Sequence, residues 1–175
     1  MGALTEIGEE RNVELSVIAH LQGDAQLADL HVYESWDDAA AALDTPKWVA
    51  PAFCYELMFT GKARPADQGE TAIFVPYAAV ISFFGRVDGG GARAERDAYM
   101  GRIRKRLECE DVGTGRAIEV MDYSDAAHPT IGYAEVTDIA ARAVSGEGMS
   151  ERERYRAEIS FSMTLYKPKA SWAVL

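Results

Sequence analysis

The chain predicts a single α+β domain with a mostly antiparallel sheet and helices packed on one face. Three observations carry this. A terminal segment, "YRAEISFSMTLYKP", alternates without a break, placing Tyr155, Ala157, Ile159, Phe161, Met163 and Leu165 on one side. A second long run, "TAIFVPYAAVISFFGRV", is apolar at both odd and even positions. Between them lies "ERDAYMGRIRKRL", whose apolar residues recur at helical spacing.

At 175 residues the chain is long enough for one domain with a proper core and short for two, and no internal repeat or interdomain linker divides it. The expected domain spans 1–175, with an exposed loop at 61–70, a charged loop at 145–154 and a C-terminal tail at 167–175. No run of about 18 apolar residues is present, so no membrane partner is expected.

Taken in order, residues 4–22 predict a helix. Leu4, Ile7, Leu15, Ile18 and Leu21 form a stripe about 120° wide, with Thr5 as a possible cap and Gly23 at the end. Val13 and Val17 fall on the opposite side. "LHVYES" predicts a short strand, and "SWDDAAAALDTP" a short helix opened by Ser35 and limited by Pro46. "APAFCYELMFTG" reads as a strand, and "GKARPADQGE" as a polar, mobile connection. The run at 72–87 needs cover on both faces, from a helix on one and from a neighbouring chain on the other.

The arginine helix is predicted over 92–108, with Tyr99, Met100, Ile103 and Leu107 on one face. Arg102, Arg104, Lys105 and Arg106 take up the rest, and Arg96 should snorkel outward. "RAIEVMDY" predicts another strand. The pattern of 133–146 suits a helix or a strand equally. On the last strand, Arg156, Glu158, Ser160, Ser162 and Thr164 form the wet or polar-paired side.

The search for chemistry returns little. "DGGGARAE" fails the phosphate-loop spacing, since no GK[ST] follows, and fails GxGxxG at Ala92. Asp88 before the glycines would repel a phosphate, although Arg93 and Arg96 stand where a helix start holds anions. Three glycines also serve a sharp turn from strand to helix, and that hinge reading is favoured. His20, His31 and His128 lack a second ligand at metal spacing. "MDYSDAAHP" gathers Asp122, Asp125 and His128, and reads as a capped turn before a metal or acid–base set. Cys54 and Cys109 stand far apart, which gives neither a disulfide framework nor a zinc site, and Cys54 is expected to be a buried thiol. No catalytic residue, metal ligand or cofactor is therefore expected.

The formal net charge of −10 argues against a duplex-binding surface. It suits solubility, the favoured reading, and also a surface past which DNA slides. The basic run 102–106 has no interleaved aromatic residue, so an acidic patch on a partner or a second subunit matches it better than nucleic acid.

The order of elements resembles the tail terminator and tail-completion (neck) proteins of tailed bacteriophages. The segments that carry the likeness are "DLHVYES", "PAFCYELMFTG", the long polar loop, "AAVISFFGRV", "ERDAYMGRIRKRL" and "YRAEISFSMTLYKP". The resemblance implies a non-enzymatic virion protein, assembled in the host cytoplasm. Such a protein forms a ring, typically a hexamer, that ends the tail tube, joins it to the head connector and lets DNA pass without specific binding. On that reading Arg102, Arg104, Lys105, Arg106, Arg64, Tyr166 and Trp172 are candidates for subunit and ring contacts. The alternative from a different class is a small-molecule or nucleotide-binding domain using the glycine loop 88–96.

Overall fold

The computed structural model describes residues 8–28, 30–33, 38, 41, 52–59, 64–65, 72–87, 91–108, 117–144 and 154–168, with backbone alone at 52–59, 64–65, 84 and 86. Helix α1 spans Glu9–Gln22 and α2 spans Ala92–Leu107. The strands are β1 His31–Tyr33, β2 Ala52–Phe59, β3 Arg64–Pro65, β4 Ala72–Arg86, β5 Ala117–Met121, β6 Thr130–Ala143 and β7 Arg154–Pro168. They form one sheet in the order β1-β2-β4-β7-β6-β5, with β3 added to β4. Only β1 and β2 are parallel; every other pairing is antiparallel. The fold is the expected α+β domain.

The centre of the sheet is the β4–β7 ladder, registered from Ala72↔Pro168 to Arg86↔Arg154. Because side chains alternate with period 2, this register puts all the odd positions of both strands on one face. Val75, Tyr77, Ala79, Ile81 and Phe83 from β4 join the six predicted residues of β7, and all are buried. Both helices cover this face. Ile103 and Leu107 of α2 are buried there, with Tyr99 and Met100 packed at the margin. The apolar face expected for α2 is therefore the one it buries.

Helix α1 differs from its expected orientation. Val13 and Val17 are fully buried, beside Ile18 and Leu21, while Leu15 is only half-buried. Two buried polar residues account for the rotation. Ser16 Oγ accepts the Met121 N–H at 3.0 Å and donates to the Asn12 carbonyl at 2.7 Å. Asn12 Oδ1 accepts the Tyr123 N–H at 2.9 Å, and its Nδ2 donates to Asp122 at 3.3 Å. These bonds satisfy backbone groups where β5 ends, so burying Asn12 and Ser16 costs little and turns the valines inward. Each valine buried this way contributes about 1.5–3 kcal/mol. The N-cap is Gly8, without a side-chain bond; Thr5 lies outside the described residues. Gly23 ends the helix as expected, in right-handed geometry at φ −66°.

Each helix is pinned to the sheet by a carboxylate in its first turn. Glu9 of α1 accepts a hydrogen bond from Tyr77 Oη at 2.8 Å and pairs with the buried Lys167 ammonium. Glu95 of α2 accepts one from Tyr155 Oη at 2.9 Å. A carboxylate at a helix start also meets the positive end of the helix dipole. Burial, reinforced by these carboxylates, pushes both phenols well above the usual tyrosine range, so they remain donors. Lys167 was expected in a departing tail, yet β7 continues to Pro168 because this ammonium has a partner within the core.

Other boundaries move in smaller ways. The polar connection 61–70 contributes β3, which pairs with Ile73 and Phe74. Of the segment 133–146, residues 133–143 belong to strand β6, since Tyr133–Thr137 and Ala140–Ala143 register on β7. A bulge lies between those stretches, where Asp138 has φ 53°. Ser35, Pro46 and most of the short helix expected after β1 lie outside the described residues.

Two glycines mark close approaches. A Cβ on Gly85 would lie 2.4 Å from Tyr155 Oη, so this position must be glycine for Tyr155 to reach Glu95. A Cβ on Gly132 would lie 2.5 Å from the Tyr166 carbonyl oxygen. Gly101, mid-way along α2, has open space instead. Gly85→Ala should therefore destabilise by about 1–3 kcal/mol through overpacking. Gly101→Ala should stabilise by about 0.5–1 kcal/mol through helix propensity. Urea unfolding of both variants checks the pair, and equal effects would contradict the packing described.

Candidate functional site

The glycine turn enters α2 through Gly91, whose φ of 94° is left-handed and suits glycine. Asp88, Gly89 and Gly90 lie outside the described residues. In the first turn of α2, Glu95 is occupied by Tyr155. Arg96 snorkels to Asp97 at 2.9 Å, and Arg93 lies 3.9 Å from the same carboxylate. The two arginines offered as phosphate ligands thus share one acidic neighbour.

The histidines divide into structural roles. His20 Nε2 donates to the Arg106 carbonyl at 2.8 Å, and Arg106 Nε donates to the His20 carbonyl at 2.8 Å. This reciprocal pair joins the C-terminal ends of the two helices. Burial, with Arg106 adding repulsion against the hydrogen bond to its carbonyl, lowers the His20 pKa below 6.5. His31 is exposed on β1. His128 packs on Tyr123, ring centroids 4.8 Å apart, in a turn where Asp125 caps Ala127 and Asp122 caps Ser124. Its φ of 45° completes the expected capped turn. No group of three metal-ligating side chains gathers among the described residues. The side chain of Cys54, and Cys109 altogether, lie outside the description.

A cavity of about 410 Å³ opens between α2 and the turn after α1, lined by Ala25, Gln26, Ala98, Tyr99 and Arg102. Arg102 is engaged there by the buried Asp24, at 2.5 Å. Burial opposes ionisation of Asp24, but Arg102, the Gln26 N–H and the charge of Arg106 outweigh it and hold the carboxyl below its usual range. No nucleophile–base pair lines this cavity.

The basic helix residues proposed from sequence are thus partly absorbed within the chain. Arg102 is held by Asp24, Arg106 by His20, and Arg104 by Glu108 at 2.9 Å. Lys105 is half-buried. Arg64 is described in backbone only, and Trp172 lies outside the described residues. Tyr166 is different: it is 41% exposed, on the face of the sheet away from both helices.

Neither α1 nor α2 covers that second face. Along β4 it presents Phe74, Pro76, Ala78 and Val80, all half-buried, between Ala72 and Ser82, which are buried. Along β7 it presents Ser160, Ser162, Thr164 and Tyr166. At one end Tyr166 packs on Phe74, centroids 5.7 Å apart, and registers opposite Tyr133, which is 49% exposed. At the other end Arg142 and Arg156 converge on Glu158, and Arg154 shares their face. Arg142 contacts Glu158 at 2.5 Å and Arg156 at 2.8 Å. The Arg142 bond is the main cause that holds the Glu158 carboxyl below its usual range, against burial and with help from Arg156.

No protein-family model and no curated protein matches the sequence. The reading of this face therefore rests on its chemistry. Its exposed tyrosines and its arginines are residue types enriched at protein–protein interfaces, whereas the Ser/Thr stretch between them is not. Sequence alternation exposed Arg156 as part of the wet side of β7. It missed Arg142, because that requires 133–146 to be a strand.

The His20 clasp gives a pH dependence. Its folded pKa lies below the unfolded value of 6.5, so its stabilisation is complete above that value and is lost as pH falls below it. Thermal melts should fall between pH 7 and 5, and His20→Gln should flatten that part of the slope. Arg102→Ala should cost about 2–4 kcal/mol at neutral pH, because Asp24 is left charged and buried. An unchanged melt would place Asp24 in water instead.

Proposed function

We propose that the chain is a structural, non-catalytic protein that closes into a ring at the end of a phage tail tube, ending tube growth and joining the tail to the head connector. The observation that carries the reading is the even-numbered face of the central β4–β7 pair, which neither α1 nor α2 covers among the described residues. Strand β4 has apolar residues on both sides, and the helices cover only one of them. A chain that leaves Phe74, Val80, Tyr133 and Tyr166 half-open gains burial by association. Closed rings arise when two different patches on each subunit complement one another head to tail. The order of elements, with two helices on one side of an antiparallel sheet, is in keeping with the phage tail-completion proteins that the sequence resembles. The net charge of −10 suits a channel wall along which DNA moves without adhering.

The glycine-loop alternative has less support. Gly91 serves the turn, and Arg93 and Arg96 already face Asp97.

Light scattering with negative-stain imaging, across concentration and salt and with added tail tubes, checks the proposal. Annular particles, alone or on tube ends, are the expected outcome. A monomer that ignores tubes and binds a nucleotide, with binding lost on Arg93→Ala and Arg96→Ala, would instead favour the alternative.

A further inference from the structure

Strand β6 outruns its outer neighbour. Strand β5 registers on it only as far as Ala117↔Glu135, while β6 runs on to Ala143. Among the described residues, no strand lies on the outer side of β6 from Val136 to Ala143. The N–H of Val144 donates to the Arg156 carbonyl at 3.0 Å, which makes 144 and 156 a hydrogen-bonded pair. By alternation along the ladder, Ala143↔Ala157 and Ala141↔Ile159 are non-hydrogen-bonded pairs. Ala141 and Ala143 therefore turn their N–H and C=O groups away from β7, to the open side, and both are exposed. The usual guards of an edge are sparse here. The bulge at Asp138 precedes these alanines, and Arg142, the one charge between Ala140 and Ala143, is bound to Glu158 at 2.5 Å.

The opposite end of the sheet carries a second open edge. Strand β1 pairs with β2 alone among the described residues, and Val32 at its centre is 38% exposed. Direction follows from the ladders: β1 runs with β2, against β4, with β7 and therefore against β6. Face follows from register. Val32 registers on Phe53, and Phe53 on the buried Phe83, so Val32 belongs to the helix-covered side. Ala141 and Ala143 belong to that side too, opposite the buried Ile159 and Ala157. A second copy, set with its sheet in line and the same face forward, thus brings its β1 antiparallel to the open side of β6. Val32 then lies beside the two alanines. Pairing β6 on its own copy instead sets two Arg142 side chains on one face, directly opposite or on a diagonal, where like charges repel.

We propose that the open side of β6 at Ala141–Ala143 seats strand β1 of a second copy, so that neighbouring subunits continue one sheet from edge to edge. Backbone donors and acceptors supply the attraction, as in any added strand, and Val32 against the alanines adds apolar burial. The contact joins two unlike edges, so it propagates head to tail and closes when the rotation permits. The inference rests on the ring reading and names the edges that join its subunits. It is separate from the cover of the tyrosine face.

Amide hydrogen exchange on the full wild-type chain, below and above the onset of assembly, reads the contact. In the monomer the Arg142 and Val144 amides, bonded to β7, should exchange slowly, and those of Ala141 and Ala143 fast. On assembly the two alanine amides should slow at least about tenfold, as each gains a hydrogen bond. Two variants, followed by sedimentation, identify the partner edge. Ala141→Pro removes an N–H that β7 does not use, so the monomer should stay folded. Val32→Asp charges the edge of β1. Each alone should assemble at least about tenfold more weakly than wild type. Their equimolar mixture should form pairs that neither variant forms alone, because one junction is intact between them. Assembly that leaves the Ala141 and Ala143 amides fast overturns the inference while the ring reading stands. So does a Val32→Asp chain that assembles like wild type, which, with Ala141→Pro impaired, marks β6 pairing on its own copy. If a variant does not fold, exchange in the wild type decides alone. A wild type that remains monomeric in every condition, with or without tubes, overturns both.

Discussion

The antiparallel ladder between β4 and β7 is the constraint on which the rest of the molecule depends. Its fifteen registered pairs put every odd residue of both strands on one face and every even residue on the other. A slip of one position would send Ile159, Phe161 and Met163 into solvent and the serines into the core. The helices are then fastened to the odd face at fixed heights, α1 by Tyr77 and Lys167 on Glu9, and α2 by Tyr155 on Glu95. Gly85 is part of the same device, since it clears the path of Tyr155.

From this frame follows the division of labour between the two faces. The helix-covered face is complete: its apolar residues are buried and its buried polar groups, Asn12, Ser16 and Lys167 among them, have partners. The even face is incomplete. Aliphatic residues of β4, the tyrosines and the arginine group are arranged on it without a covering layer among the described residues. No group of three metal-ligating side chains gathers among the described residues; His20 and Arg106 clasp the helices, Arg102 holds Asp24, and Asp122 and Asp125 close a turn. A sheet face with exposed tyrosines is a surface and not a pocket, which suits assembly better than a small ligand.

Much of this was legible in the sequence. The terminal strand declared its buried side by strict alternation, and the doubly apolar β4 declared that both its faces need cover. Helix α2 could be phased from Ile103 and Leu107 because its polar face is so densely charged. Helix α1 could not be phased correctly, since Asn12 and Ser16 look like surface residues until their bonds to Met121 and Tyr123 are known. The strand state of 133–143 was hidden by a bulge at Asp138, which interrupts the alternation that would reveal it. With it was hidden Arg142, and so the arginine group. The basic run 102–106 drew attention from sequence because it is contiguous, yet Arg102 and Arg106 serve inside the chain.

The central claim is that the open sheet face is covered when the protein assembles. Hydroxyl-radical footprinting of Tyr133 and Tyr166, at protein concentrations below and above the onset of assembly, tests it most directly. The account predicts that both tyrosines are modified in the monomer and become protected together as the mass rises. Tyrosines that remain equally reactive in the assembled particle would show that the chain associates through another surface.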